Sequence, residues 1–151
     1  VEEWDKMNDM IDNLSPLIES YGINFLTIFL HDGRGDYYQQ HKEYDKAIEF
    51  YNKGLEISSA HTWDTLVQLG KVYRKKGDYK MAEQTFIRAI DLIDSNAELY
   101  YEYAILKEEL GELDESRVYI EKAYNLYKNA DKEVKLAQKI WDKHKQLTLK
   151  Q

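Results

Sequence analysis

The four histidines, His31, His41, His61 and His144, are the first candidates for chemistry. A helical metal site needs two ligands about three or four residues apart, as in HExxH, and no pair here has that spacing. His31 and His41 stand ten residues apart, close enough to share a helix and too far apart to clasp one ion. Structural or surface roles are expected for all four, with no metal and no cofactor. The carboxylates are plentiful but spread along solvated helix faces. Glu108, Glu109, Glu112, Asp114 and Glu115 form an acidic run that reads as solvent-facing. Gly33-Arg34-Gly35 lacks the preceding strand and the GK[ST] ending of a phosphate loop. There is no GxSxG, and without cysteine there is no thiol nucleophile, disulfide or thiolate metal site. No catalytic residue is assigned, and the chain reads as not an enzyme.

The 28 acids outnumber the 21 bases, for a net charge of −7, and no block of five or six consecutive like charges appears. Direct binding to nucleic acid or to an anionic membrane surface is disfavoured. The longest apolar run, Phe25 to Leu30, is far short of the ~20 residues that span a bilayer, so no membrane insertion is expected. The absence of cysteine suits a reducing cytoplasm. The chain opens on Val1 rather than Met, which reads as a piece of a longer protein. One proline, thirteen tyrosines and much Glu, Lys, Leu and Ala suit packed helices.

Such helices carry a repeat. Three segments, from Lys42, Gly77 and Gly111 onward, align on a small residue at Ala47, Ala82 and Ser116, spaced 35 and then 34 residues. Four positions later stand Tyr51, Phe86 and Ile120, and seven later Gly54, Ala89 and Ala123. Small, large and small at i, i+4 and i+7 make one helical stripe on which a neighbouring helix can lie close. A partner helix precedes each segment, with faces His31-Arg34-Gly35-Tyr38, Leu66-Leu69-Gly70-Tyr73 and Tyr100-Tyr103-Ala104-Lys107. Gly77 and Gly111 suit the turn between the two helices, and Asp78 suits the cap of the second.

This pattern resembles the tetratricopeptide repeat. Leu69, Gly70, Tyr73, Gly77, Tyr79, Ala82, Phe86 and Ala89 all fall on family positions in the second repeat. The third departs at Lys107 and Ser116. The first departs at His31, Arg34 and Lys42, which takes the place of the turn glycine. The family's closing proline is replaced by Ser59, Asp94 and Lys128. The resemblance implies an all-α, right-handed α-solenoid of antiparallel helix hairpins with flanking N- and C-terminal helices. A single domain over 1–151 is expected. It comprises an N-terminal helical segment at 2–22, repeats at 24–60, 62–95 and 96–129, and a capping helix at 131–149.

At the N-terminal end, Trp4, Met7, Ile11 and Leu14 have helical spacing, and Ser15-Pro16 reads as the cap and first turn of a new helical turn closed by Gly22. Gly33 and Gly35 cost a helix about 1 kcal/mol each against Ala, which points to close packing or a kink. At the C-terminal end, Asp131 is the expected cap of a helix whose stripe is Val134, Ala137, Ile140, Trp141, His144 and Leu147. A solubilising end helix is the expected role.

In the family, the first helices of the hairpins line a concave groove that holds a peptide or a partner's segment. Carried over, the groove positions are Asp32, Asp36 and Gln39, then Asp64, Val67, Lys71, Arg74 and Lys75, then Glu98, Tyr101, Glu102, Ile105 and Glu108. A basic middle row stands between acidic or polar rows. It suits an extended peptide with an acidic group near its centre and a basic or apolar group beside Tyr101 and Ile105. Equally, Lys71, Arg74 and Lys75 could pair with Asp36, Glu108 and Glu109. Chaperone-binding members of the family clamp a terminal carboxylate with cations. Asp32, Asp36, Glu98 and Glu102 would repel it, so that clamp is rejected.

The expected function is a protein- or peptide-binding scaffold. Two alternatives stand beside it. One is a sensor fragment of a bacterial peptide-responsive regulator, suggested by the missing Met. The other is a self-assembling module, a homodimer formed through exposed Trp4, Trp63 and Trp141.

Overall fold

A computed structural model describes residues 2–57, 62–130 and 134–149. These form helices α1 (Glu2–Ser20), α2 (Asn24–Gln40), α3 (Tyr44–Ile57), α4 (Thr62–Lys76), α5 (Tyr79–Leu92), α6 (Ala97–Glu109), α7 (Leu113–Tyr127) and α8 (Lys135–Thr148), with no strand among the described residues. His61, Ser59 and the expected cap Asp131 lie outside the described residues. The chain divides into two compact units, Val1–Thr85 and Phe86–Gln151, the division falling within α5.

The turns follow from backbone chemistry. After α2, Lys42 N–H donates to Gln39 O and Glu43 N–H to Tyr38 O, the paired bonds that close a helix on a left-handed residue. The same pair recurs at Gly77 and Gly111. Those glycines have φ of 88° and 81°; Lys42 adopts 61° with a full side chain. Asp78 caps α5 as expected, accepting from Met81 N–H at 3.2 Å.

In the first unit, α1 packs on α2, α2 on α3 and α3 on α4. The core gathers Ala47, Tyr51, Leu69 and Val72, with Tyr38, Ile48 and Tyr73 around them. The small–large–small stripe of α3 is therefore a packing device. Tyr51 is fully buried, with its ring against Gly35. Gly33 serves α1 in the same way: a Cβ there would lie 2.8 Å from Ile11 Cδ1. Both glycines are close-packing positions, the first of the two roles their cost suggested. Polar contacts join α1 to α2 and its C-cap as well: Arg34 pairs with Asp12 at 2.7 Å, and the His41 ring lies 3.6 Å from Asp5.

The Ser15-Pro16 expectation fails. Both residues sit inside the continuous helix α1, and Ser15 Oγ donates to Ile11 O at 2.7 Å. A proline carries no N–H, so Pro16 cannot bond the carbonyl four residues back, and the helix continues around that missing bond.

In the second unit, α6 packs on α7 and α7 on α8. The core gathers Tyr100, Ala104, Ile120, Ala123, Ile140 and Leu147. Ser116, at the place of the family alanine, is fully buried and donates to Ala104 O at 2.8 Å. Lys107 is only 4% exposed. Its stem lies along the core, and its ammonium reaches Glu112 at 2.6 Å and Glu115 at 2.9 Å, with the Tyr103 ring 5.3 Å away. The acidic run is thus partly structural rather than purely solvated. Helix α8 starts at Lys135 with Val134 at its N-cap and no side-chain capping bond. It buries Ala137, Ile140 and Leu147, while Val134 stays exposed.

Candidate functional site

The first helices α2, α4 and α6 carry the residues expected to meet a partner. On α2, Asp32 faces α4, where Thr65 Oγ1 donates to its Oδ2 at 2.8 Å. Asp32 Oδ1 is buried without a hydrogen-bond partner. Burial raises the Asp32 carboxyl from its ordinary 3.8 to about 6; the Thr65 bond opposes this, and the charges of Asp36 and Asp64 add to it. One turn on, Asp36 accepts from Tyr51 Oη at 2.6 Å. Burial, then Asp36, push the Tyr51 phenol upward, so it stays a donor. Gln39 is buried, and its Oε1 lacks a partner.

Between α2 and α4 lies a cavity of about 310 Å³, lined by Phe25, Ile28, Phe29, Asp32, Trp63 and Asp64. Asp32 and Asp64 stood among the groove positions. Phe25, Phe29 and Trp63 did not, although Phe25, Ile28, Phe29 and Asp32 have the i, i+3, i+4, i+7 spacing of one helix face. That stripe was the available signal. Trp63, Trp4 and Trp141 are all half-buried rather than exposed. The indole N–H of Trp141 donates to Tyr127 O at 3.3 Å.

Along α4, Lys71 and Arg74 are half-buried and Lys75 is exposed. Val67 is 1% exposed, so a partner cannot reach it without moving the chain. A β-branched residue between Leu66 and Leu69 is drawn into the core whatever row the repeat register assigns it. In the second unit, Tyr101, Glu102, Ile105 and Glu108 on α6 are half-buried. Tyr101 also packs against the core. Glu108 pairs with Lys143 of α8 at 2.7 Å.

His31 and His144 pack against aromatic rings. His31 lies 6.1 Å from the Phe50 ring, and burial, then Arg34 and Lys53, lower its pKa. The His144 ring stacks on Tyr124 at 4.2 Å, with Nε2 2.5 Å from Glu121. No group of three or more metal-ligating side chains sits together among the described residues. No described helix is long and apolar enough to cross a membrane.

Models of the tetratricopeptide repeat match residues 61–129 and 28–61, together about two thirds of the chain. The chain is 39% identical over 66 residues to protein bimA of Emericella nidulans, covering 44% of this chain and 8% of that protein. It is 30% identical over 86 residues to the TPR repeat-containing protein MJ1428 of Methanocaldococcus jannaschii, covering 57% of this chain and 15% of that one. The chain therefore spans a small part of the curated relatives it matches. Among solved structures, PcrH from Pseudomonas aeruginosa is similar with TM-score 0.73 at 17% identity, covering 81% of this chain and 92% of PcrH. The first TPR of Spaghetti (RPAP3), bound to the HSP90 peptide SRMEEVD, is similar with TM-score 0.67 at 19% identity, covering 82% and 94%. PcrH in complex with the chaperone binding region of PopD is similar with TM-score 0.67 at 16% identity, covering 90% and 93%. At these identities the structural likeness speaks for the fold, an all-α array of helix hairpins. Repeat spacing, buried stripes and family models agree, and the chain belongs to the tetratricopeptide repeat family.

Proposed function

We propose that this chain is a non-enzymatic scaffold that binds a protein segment on its first-helix faces. The observation that carries the reading is the cationic end of α4, where Lys71, Arg74 and Lys75 crowd little more than one helical turn at half-buried to exposed positions within a family of interaction modules. Structures of the same fold hold the peptide SRMEEVD and the chaperone binding region of PopD, which lends support. In the first unit the contact residues are Asp36, Lys71, Arg74 and Lys75, with Gln39 and Val67 behind them. In the second they are Tyr101, Glu102 and Ile105, with Glu108 held by Lys143. Among the described residues the repeats take α2 to α7, between α1 and the end helix α8. A cytoplasmic setting accords with the absence of cysteine.

Self-assembly through tryptophan loses the exposed rings it rested on, since all three are half-buried. The sensor-fragment reading gains no support from the relatives described above. The test is a peptide array probed with wild type and with the Lys71→Glu/Arg74→Glu double variant. Removing two charge-assisted contacts weakens binding at least ~10-fold at the spots wild type recognises. Unchanged binding by a folded double variant sinks the assignment to α4.

A further inference from the structure

The cavity between α2 and α4 has an unusual lining. Phe25 and Phe29 remain 57% and 69% exposed at its edge. Trp63 and Ile28 extend the apolar wall, and Asp32 and Asp64 place two carboxylates in it. Asp32 is fixed there by Thr65, with one oxygen left buried and unbonded. A desolvated carboxylate without a full set of donors weakens the free protein, so a ligand that supplies donors gains by filling it.

The lining selects the ligand. An uncharged apolar group would desolvate Asp32 further and return nothing. An anion would be repelled. A bare metal ion would meet aromatic carbon where it needs oxygen. A guanidinium meets every demand: it is planar, weakly hydrated, stacks on aromatic faces and donates to carboxylates as a fork. Its aliphatic stem suits Ile28 and Trp63. An ammonium is a strongly hydrated point charge and would lose more on entering. The chain uses the same combination nearby, where Arg34 lies 5.5 Å over the Phe50 ring and bonds Asp12 at 2.7 Å.

We propose that this cavity receives an arginine side chain from a partner protein segment, its guanidinium against the aromatic wall and bonded to Asp32 and Asp64. The proposal rests on the scaffold reading and adds the side chain that the first unit selects. Its polarity is opposite to that of a clamp for a terminal carboxylate.

The test is an NMR titration of the chain with the blocked peptide acetyl-Gly-Leu-Arg-Leu-Gly-amide and with the same peptide carrying citrulline, the neutral isostere, in place of arginine. The arginine peptide shifts the Trp63 indole N–H and binds about tenfold more tightly than the citrulline peptide. In Asp32→Asn/Asp64→Asn the two peptides bind alike. Should the double asparagine variant fail to fold, Phe29→Ala, at an exposed ring, takes its place and weakens the arginine peptide about fivefold. Equal affinity for the two peptides overturns the proposal. So does an arginine response that bypasses Trp63, or no response at millimolar peptide. None of these touches the scaffold reading, which the array judges separately through Lys71 and Arg74.

Discussion

The ring of Tyr51 lies so close to Gly35 that a Cβ on Gly35 would stand 2.5 Å from Tyr51 Cε1. Tyr51 is fully buried, and its hydroxyl is held by Asp36, so the ring has nowhere to go. Gly35→Ala should therefore destabilise the first unit by about 1–3 kcal/mol through overpacking, even though alanine favours a helix by about 1 kcal/mol. Urea unfolding followed by circular dichroism measures it; an unchanged or raised midpoint contradicts the packing described.

Lys42 offers the opposite case. Its φ of 61° is the conformation glycine adopts at the two equivalent turns after α4 and α6. An L-residue there carries about 1 kcal/mol of strain. Lys42→Gly should raise the unfolding free energy by about 0.5–1 kcal/mol, and Gly111→Lys should lower it by a similar amount. Thermal unfolding of both variants checks the pair, because the two shifts must have opposite signs.

Lys107 is buried, with Glu112 and Glu115 at its ammonium. Glu112→Gln/Glu115→Gln weakens the compensation of a desolvated charge and should cost about 1–3 kcal/mol. Both glutamates are roughly half exposed, which keeps the loss below that of a fully enclosed pair. Lys107→Met removes charge and need together and should fall within about 1 kcal/mol of wild type. Chemical denaturation of the two variants in parallel tests the contrast.

Asp32 makes stability depend on pH. Its folded pKa is raised, so between 3.8 and about 6 the folded chain binds more protons than the unfolded one. Stability from this group is fully present below pH 3.8, falls as pH rises through about 6, and is flat above. The rise caps the effect at about 3 kcal/mol, and residual solvent access lowers it. Asp32→Asn should therefore be more stable than wild type at pH 7 and lose that advantage near pH 4. Melting curves of the two proteins across this range give the comparison; a constant difference contradicts it.

How far these features were legible in the sequence differs by kind. Ala47, Tyr51 and Gly54, with their counterparts in α5 and α7, announced the packing stripe, because a helix writes its buried face at fixed intervals. The turns at Gly77 and Gly111 were legible because only a residue tolerant of positive φ ends a helix that way. Lys42 marked the same turn by position in the repeat, although residue type alone argued against it. Ser15-Pro16 misled because proline's preference for a first turn is local, while packing carried α1 through it. Lys107 looked like a loss of the family aromatic; its burial depends on Glu112 and Glu115, across a turn where no periodicity connects them. Val67 was assigned to the surface by register alone. The cavity of α2 and α4 needed two helices brought together, so only its α2 stripe could be read beforehand.

The most direct test of the account is hydrogen–deuterium exchange of the chain with and without the tightest peptide from the array. Binding on the first helices predicts new protection in α4 around Lys71 and Arg74 and in α6 around Tyr101 and Ile105, with α3 and α7 unchanged. Protection confined to α3 or α7, or none at saturating peptide, contradicts the claim that this chain holds its partner on its first-helix faces.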